Sequence, residues 1–256
     1  MLRSVTRSPH SVIITRVNIK GEMIMAKTSA ERKLLIPLSM GYALLLLCEG
    51  IFSSHFMYLP YTHITCSPAV FLLALVFVMG DILTEVYGYR IMQRIFISGI
   101  IMEGIFVAII TLITRHPELN APQWWLATQS QAAFQQAFHG LPLGFASTTT
   151  ALLLSVYLNA RIISRWKILL KGRYFWLRSI GASGIGLLLF SCIFIALATT
   201  YGFEKDVELA MDSFLTKVVL LIIFAYPANV IAWLLKKIEG IDTYDYYQTY
   251  NPFKNF

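Results

Sequence analysis

The chain has 256 residues, 57% of them hydrophobic and only 14% charged, with a formal net charge of +7. A soluble domain carries about a quarter charged residues, so this composition excludes a large soluble domain and points to a polytopic membrane protein. In such a chain, basic residues belong in loops and mark orientation rather than a nucleic-acid partner.

Residues 1–33 are polar and basic, with Arg3, Arg7, Arg16, Lys20, Lys27, Arg32 and Lys33, and read as a disordered cytoplasmic arm. Their one apolar run, at 12–14, is too short for a signal peptide. Met23 and Met25 stand just before the first hydrophobic run and are alternative starts. A six-helix transmembrane domain then occupies 34–237. Spans of ~20 apolar residues fall at 34–53, 68–87, 95–113, 138–158, 180–199 and 214–235. Between the third and fourth, Pro117, Pro122, Trp124 and Trp125 read as an interfacial loop, followed by a polar surface helix, QSQAAFQQAFHG. Residues 238–256 read as a cytoplasmic tail.

Lysine and arginine fix the orientation. Eighteen fall on one side: seven in the arm, Arg90 and Arg94, then Arg161, Arg165, Lys167, Lys171, Arg173 and Arg178 between the fourth and fifth spans, and Lys236, Lys237 and Lys254. Only Arg115 and Lys205 fall on the other. Both termini are therefore expected in the cytoplasm.

The polar residues at membrane depth are the candidate site. Asp81 and Glu85 lie four residues apart, so both project from one helix face. A carboxylate at that depth is costly unless it faces a polar cavity or a partner. The alternative is a solvated helix end where Arg90 or Arg94 pairs with Glu85. Glu49 and Glu103 are single acids in apolar helices; a protonated acid bonding between helices is their alternative reading. Lys217 lies one turn into the sixth span, where snorkelling to the interface competes with a site role. His55, Asn159 and Asn229 lie near span ends. Cys48, Cys66 and Cys192 lack metal-like spacing and read as small hydrophobes. No catalytic triad, metal or phosphate-loop pattern occurs, so neither an enzyme nor a cofactor is expected. Pro227 is expected to break the sixth helix. Gly181, Gly184 and Gly186, with Ala182 and Ser183, form a small-residue face for close helix packing.

Three stretches together resemble one family. GDILTEVYGYR at 80–90, KGRYFWLRSIGASGIG at 171–186 and KKIEGIDTYDYYQTYNPF at 236–253 are similar to the queuosine precursor transporters, six-span bacterial membrane proteins also called vitamin uptake transporters. Asn159 matches an asparagine ending that family's fourth span, and Lys217 a lysine in its sixth. The chain departs from the family pattern at Ala74, where relatives carry proline, and at Val156, Leu187 and Phe190, where they carry polar or acidic groups. The resemblance implies an all-α bundle like the substrate-binding component of energy-coupling-factor transporters. It also implies residence in the bacterial inner membrane and import of 7-cyano- or 7-aminomethyl-7-deazaguanine for tRNA modification. On this reading Asp81, Glu85, Asn159, Lys217, Glu49 and Glu103 bind a purine-like substrate, with Tyr87, Phe77 or Tyr226 stacking on its ring. Partners are the bilayer and either a second copy of the chain or energising subunits. Two other readings stay open: the substrate-binding component of a multi-subunit importer, and a ligand-free membrane scaffold.

Overall fold

The structure, a computed structural model, describes residues 15–17, 23–25, 32–53, 55, 57–58, 65–116, 129–200 and 207–246. It is an all-α bundle with six helices long and apolar enough to cross a membrane. These are α1 (Leu35–Phe52), α2 (Ala69–Tyr87), α3 (Tyr89–Arg115), α5 (Leu141–Leu169), α6 (Phe175–Thr200) and α7 (Val207–Glu239). The shorter α4 (Gln129–Phe138) precedes α5, where the polar surface helix was expected. The Pro117–Trp125 loop lies outside the described residues.

Two short antiparallel pairs complete the elements: β1 (Thr15–Val17) with β2 (Met23–Met25), and β3 (Met57–Tyr58) with β4 (Thr65–Cys66). The first pair lies within the basic arm, most of which is outside the described residues. Thr15 and Val17 are β-branched and suit extended pairing, which a reading by composition overlooks.

The helices outrun the predicted spans at the end that carries most of the cations. α3 starts at Tyr89 rather than 95, α5 continues to Leu169 rather than 158, and α6 starts at Phe175 rather than 180. Hydropathy detects the apolar slab, not the helix, and lysine and arginine are good helix formers. Arg161, Arg165 and Lys167 are therefore helical, as is Arg178, and only Lys171 and Arg173 remain in the α5–α6 connection. Pro227 is likewise corrected: α7 runs through it unbroken. Packing of α7 against α2 and α6 holds the helix although one backbone donor is missing.

α2 is the axis. It packs against each of the other five spanning helices, which surround it in the order α1, α3, α5, α6, α7. Of its span, 78% is buried, against 22–39% in the others. A helix apolar all round belongs inside, and 69–80 carry no charge. Gly88 ends α2 and starts α3 with φ of 90°, a conformation that L side chains rarely adopt. A Cβ there would also stand 2.8 Å from Thr243 Cγ2. The small-residue face of α6 packs as expected at two of three glycines. A Cβ on Gly181 would meet Trp166 at 2.7 Å and one on Gly186 would meet Phe77 at 2.6 Å, but Gly184 faces open space.

Candidate functional site

The buried polar groups form three tiers along α2. The first ties the helix ends on the basic side. Glu85 is fully buried and accepts a bidentate pair from Arg178, Nη1 to Oε2 at 2.9 Å and Nη2 to Oε1 at 3.1 Å. Lys236 Nζ donates to Glu85 Oε1 at 2.5 Å, and Lys167 Nζ stands 3.7 Å from the same oxygen. Arg90 and Arg94, the partners considered for Glu85, are exposed. The segment after α7 folds under this knot. Asp242 bridges Lys167 at 2.6 Å and Lys236 at 3.0 Å. Asp245 Oδ2 accepts from the Tyr89 amide at 3.0 Å and the Ser164 hydroxyl at 2.7 Å. Glu239 accepts from the Leu34 amide at 2.7 Å. Burial alone would raise the Asp242 carboxyl, but hydrogen bonds and charge from Lys167 and Lys236 outweigh it and hold it below the usual carboxylate range.

The second tier lies one turn deeper, about 6 Å along α2. Asp81, also fully buried, accepts from Asn159 Nδ2 at 2.6 Å, Ser179 Oγ at 2.5 Å and Ser183 Oγ at 2.8 Å. Ser183 also reaches Asn159 Oδ1 at 3.3 Å. Every one of these donors is neutral. Tyr42 on α1 is fully buried, its hydroxyl has no hydrogen-bond partner among the described residues, and it lies against Gly80 beside Asp81.

The third tier sits toward the opposite end. Glu103, about 21 Å along α3, packs on Gly50, next to Glu49 on α1; a Cβ on Gly50 would collide with Glu103 Oε1. Both carboxyls are buried. Neither oxygen of Glu103, nor Oε2 of Glu49, has a hydrogen-bond partner among the described residues. The hydroxyls of Ser147, Thr148 and Ser191 are also buried without a partner among the described residues. Lys217 is buried on α7, close enough to Glu49 to feel its charge, with its ammonium 5.1 Å from the Phe190 ring centre. It does not snorkel.

The six predicted residues thus do not converge on one point. The structure joins Asp81 with Asn159, groups Glu49, Glu103 and Lys217, and gives Glu85 to the helix-end knot. Tyr226 is corrected as a ring-stacking candidate: it is exposed on the outer face of α7 and stacks on Trp176. Phe77 and Tyr87 are core residues. His55 and Asn229 are exposed, and Cys192 is exposed where a buried cysteine was expected. Ala74, Val156, Leu187 and Phe190 all fill the core. Sequence reasoning missed Arg178, Lys167 and Lys236 as partners of the buried Glu85 because it placed them in loops. It also missed Ser179 and Ser183, whose i, i+4 spacing on a helix start was the available signal.

Over residues 67–232 the chain matches the family model described as "Putative vitamin uptake transporter". The chain belongs to the vitamin uptake transporter family. No curated protein and no solved structure matches it. As a vitamin uptake transporter it is a multi-pass membrane protein that takes up a small molecule, and the match takes in Asp81, Glu85, Glu103, Asn159, Arg178 and Lys217.

Proposed function

We propose that this transporter imports a queuosine precursor, 7-cyano- or 7-aminomethyl-7-deazaguanine, and that Glu49, Glu103 and Lys217 contact it. One observation carries the reading: three buried carboxylate oxygens, both of Glu103 and Oε2 of Glu49, have no donor among the described residues, and Glu103 packs on Gly50 next to Glu49. Leaving such groups unsatisfied costs about 1–3 kcal/mol each, more when charged. A ligand rich in N–H donors removes that cost. The pyrimidine edge of a deazaguanine presents such donors in a row, and a carboxylate accepts two at once. The motif at 80–90 supports the same substrate class. The aminomethyl form adds a cation that suits two adjacent acids better than the uncharged cyano form does.

The test is complementation. A bacterium lacking both precursor synthesis and its own importer receives the gene and is fed either precursor at low concentration. Boronate-gel mobility then reads queuosine in tRNA. Restoration is expected, with the aminomethyl form at least as effective, and Glu103→Gln should reduce it sharply while leaving expression intact. An expressed, inserted protein that gives no shift with either precursor rejects the substrate assignment.

A further inference from the structure

Asp81 and Glu85 stand one turn apart on the same helix, yet their surroundings are opposite. Glu85 is neutralised by Arg178 and Lys236, with Lys167 near by. Asp81 has no cation within ion-pair distance among the described residues; it is held only by an amide and two hydroxyls. A lone carboxylate kept from water is expensive, and such groups neutralise themselves by taking up a cation. Asn159 Nδ2 and the Ser179 and Ser183 hydroxyl oxygens are in direct contact with the Asp81 carboxylate at 2.5–2.8 Å, which leaves no room for a metal ion between them. A proton needs none.

The surroundings can also accommodate the protonated form. With a hydrogen on Oδ2, Asp81 donates to Ser179 Oγ instead of accepting from it. Ser183 can then turn its own hydrogen to Asn159 Oδ1, already 3.3 Å away. Asn159 Nδ2 keeps its bond to Oδ1 in either state. The Tyr42 hydroxyl, without a partner among the described residues, supplies a further buried polar group beside the acid. Among the described residues the ionisable groups facing this point are Tyr42 on α1, Glu85 on α2 and Arg178 on α6, and the last two are bound to each other. α5 presents Asn159, α3 places Met92 against Gly80, and the Lys236 ammonium of α7 is spent on Glu85.

We infer that Asp81 is a proton-binding station through which this transporter couples uptake to the proton gradient. Buried acids in transporters serve as such relays. In each cycle Asp81 takes one proton from the substrate side and gives it up on the other, with no net chemical change. The inference rests on the transport reading but not on the identity of the substrate.

The experiment uses purified full-length protein in proteoliposomes with radiolabelled 7-cyano-7-deazaguanine. Wild type should accumulate it under an inward proton gradient, and a protonophore should abolish accumulation. Asp81→Asn keeps size and hydrogen bonding; it should lose accumulation while retaining binding and exchange of label across the membrane. Accumulation by the variant, loss of its binding, or accumulation driven by a sodium gradient alone overturns the inference. A ligand-free readout separates this from a wrong substrate. Infrared difference spectra across pH should show a protonated carboxyl band in wild type that is absent from Asp81→Asn. Should that variant not fold, Ser179→Ala serves instead, because loss of its hydrogen bond shifts the band only when the titrating acid is Asp81. A wild type without such a band, or a band indifferent to both substitutions, overturns the inference whatever the label does.

Discussion

Glu85 and Arg178 are the pair on which most depends at the level of single residues. Both are fully buried, and their bidentate contact is the strong form of a charged hydrogen bond. Removing one partner of such a pair costs about 3–5 kcal/mol because the other charge is left stranded. Arg178→Met is therefore expected to lower the melting temperature in detergent markedly. Arg178→Lys should rescue only part of it, since an ammonium cannot reproduce the planar fork. Arg90→Met, at an exposed neighbour, should leave the melting temperature unchanged. The importance of Glu85 was legible in the sequence, because an acid beside a long apolar run demands a partner. Its partner was not: Arg178 lies 93 positions away, and a charge count assigned it to a loop. The same blindness applies to Asp81, whose hydroxyl partners carry no charge to signal them.

At the level of helices, packing and the trailing strap make separate predictions. On α6, Gly186→Ala forces a methyl against Phe77, Asn159 and Ser155; overpacking of this kind costs about 1–3 kcal/mol. Gly184→Ala meets nothing within 4 Å and should be neutral or stabilising by up to about 1 kcal/mol, from helix propensity. Thermal melts of the two variants distinguish a packed glycine from an idle one. The strap predicts a pH dependence. The Asp242 carboxyl is held below its ordinary value by Lys167 and Lys236. A depressed carboxyl stabilises the fold above its unfolded value, about 3.9, and that stabilisation is lost as pH falls through the folded value. Asp242→Asn should thus melt below wild type at neutral pH, and the gap should close under strong acid. A gap that persists unchanged in acid would assign the loss to shape rather than charge. Helix existence and order were legible from apolar runs, but helix ends were not. The excess lies where charged residues continue the helix beyond the apolar slab, as at 159–169 in α5.

For the whole molecule, the asymmetry of charge sets the orientation to be tested. Single cysteines at positions 170 and 245, in a background without Cys48, Cys66 and Cys192, should resist an impermeant thiol reagent applied from outside. Labelling at either position from that side would reverse the orientation. The central place of α2 was not expected from the sequence, although a long apolar helix with two acids at one end has no stable place facing lipid. What the sequence withheld is the division of its polar residues into tiers. That division depends on how far along each helix a residue lies once the helices are set antiparallel, and span boundaries wrong by up to eleven residues, as at the end of α5, blur it.

The strap also bears on how the protein is made. Asp242, Thr243 and Asp245 are synthesised after all six helices. Until they emerge from the ribosome, Lys167 and Lys236 lack the Asp242 carboxylate, and the first amide of α3 lacks its Asp245 cap. Insertion of the helices is therefore separable from their final assembly. The basic end of the bundle is latched by a segment that follows all six helices in the chain. A released chain truncated before residue 242 would keep all six helices and present an open seam at their basic end.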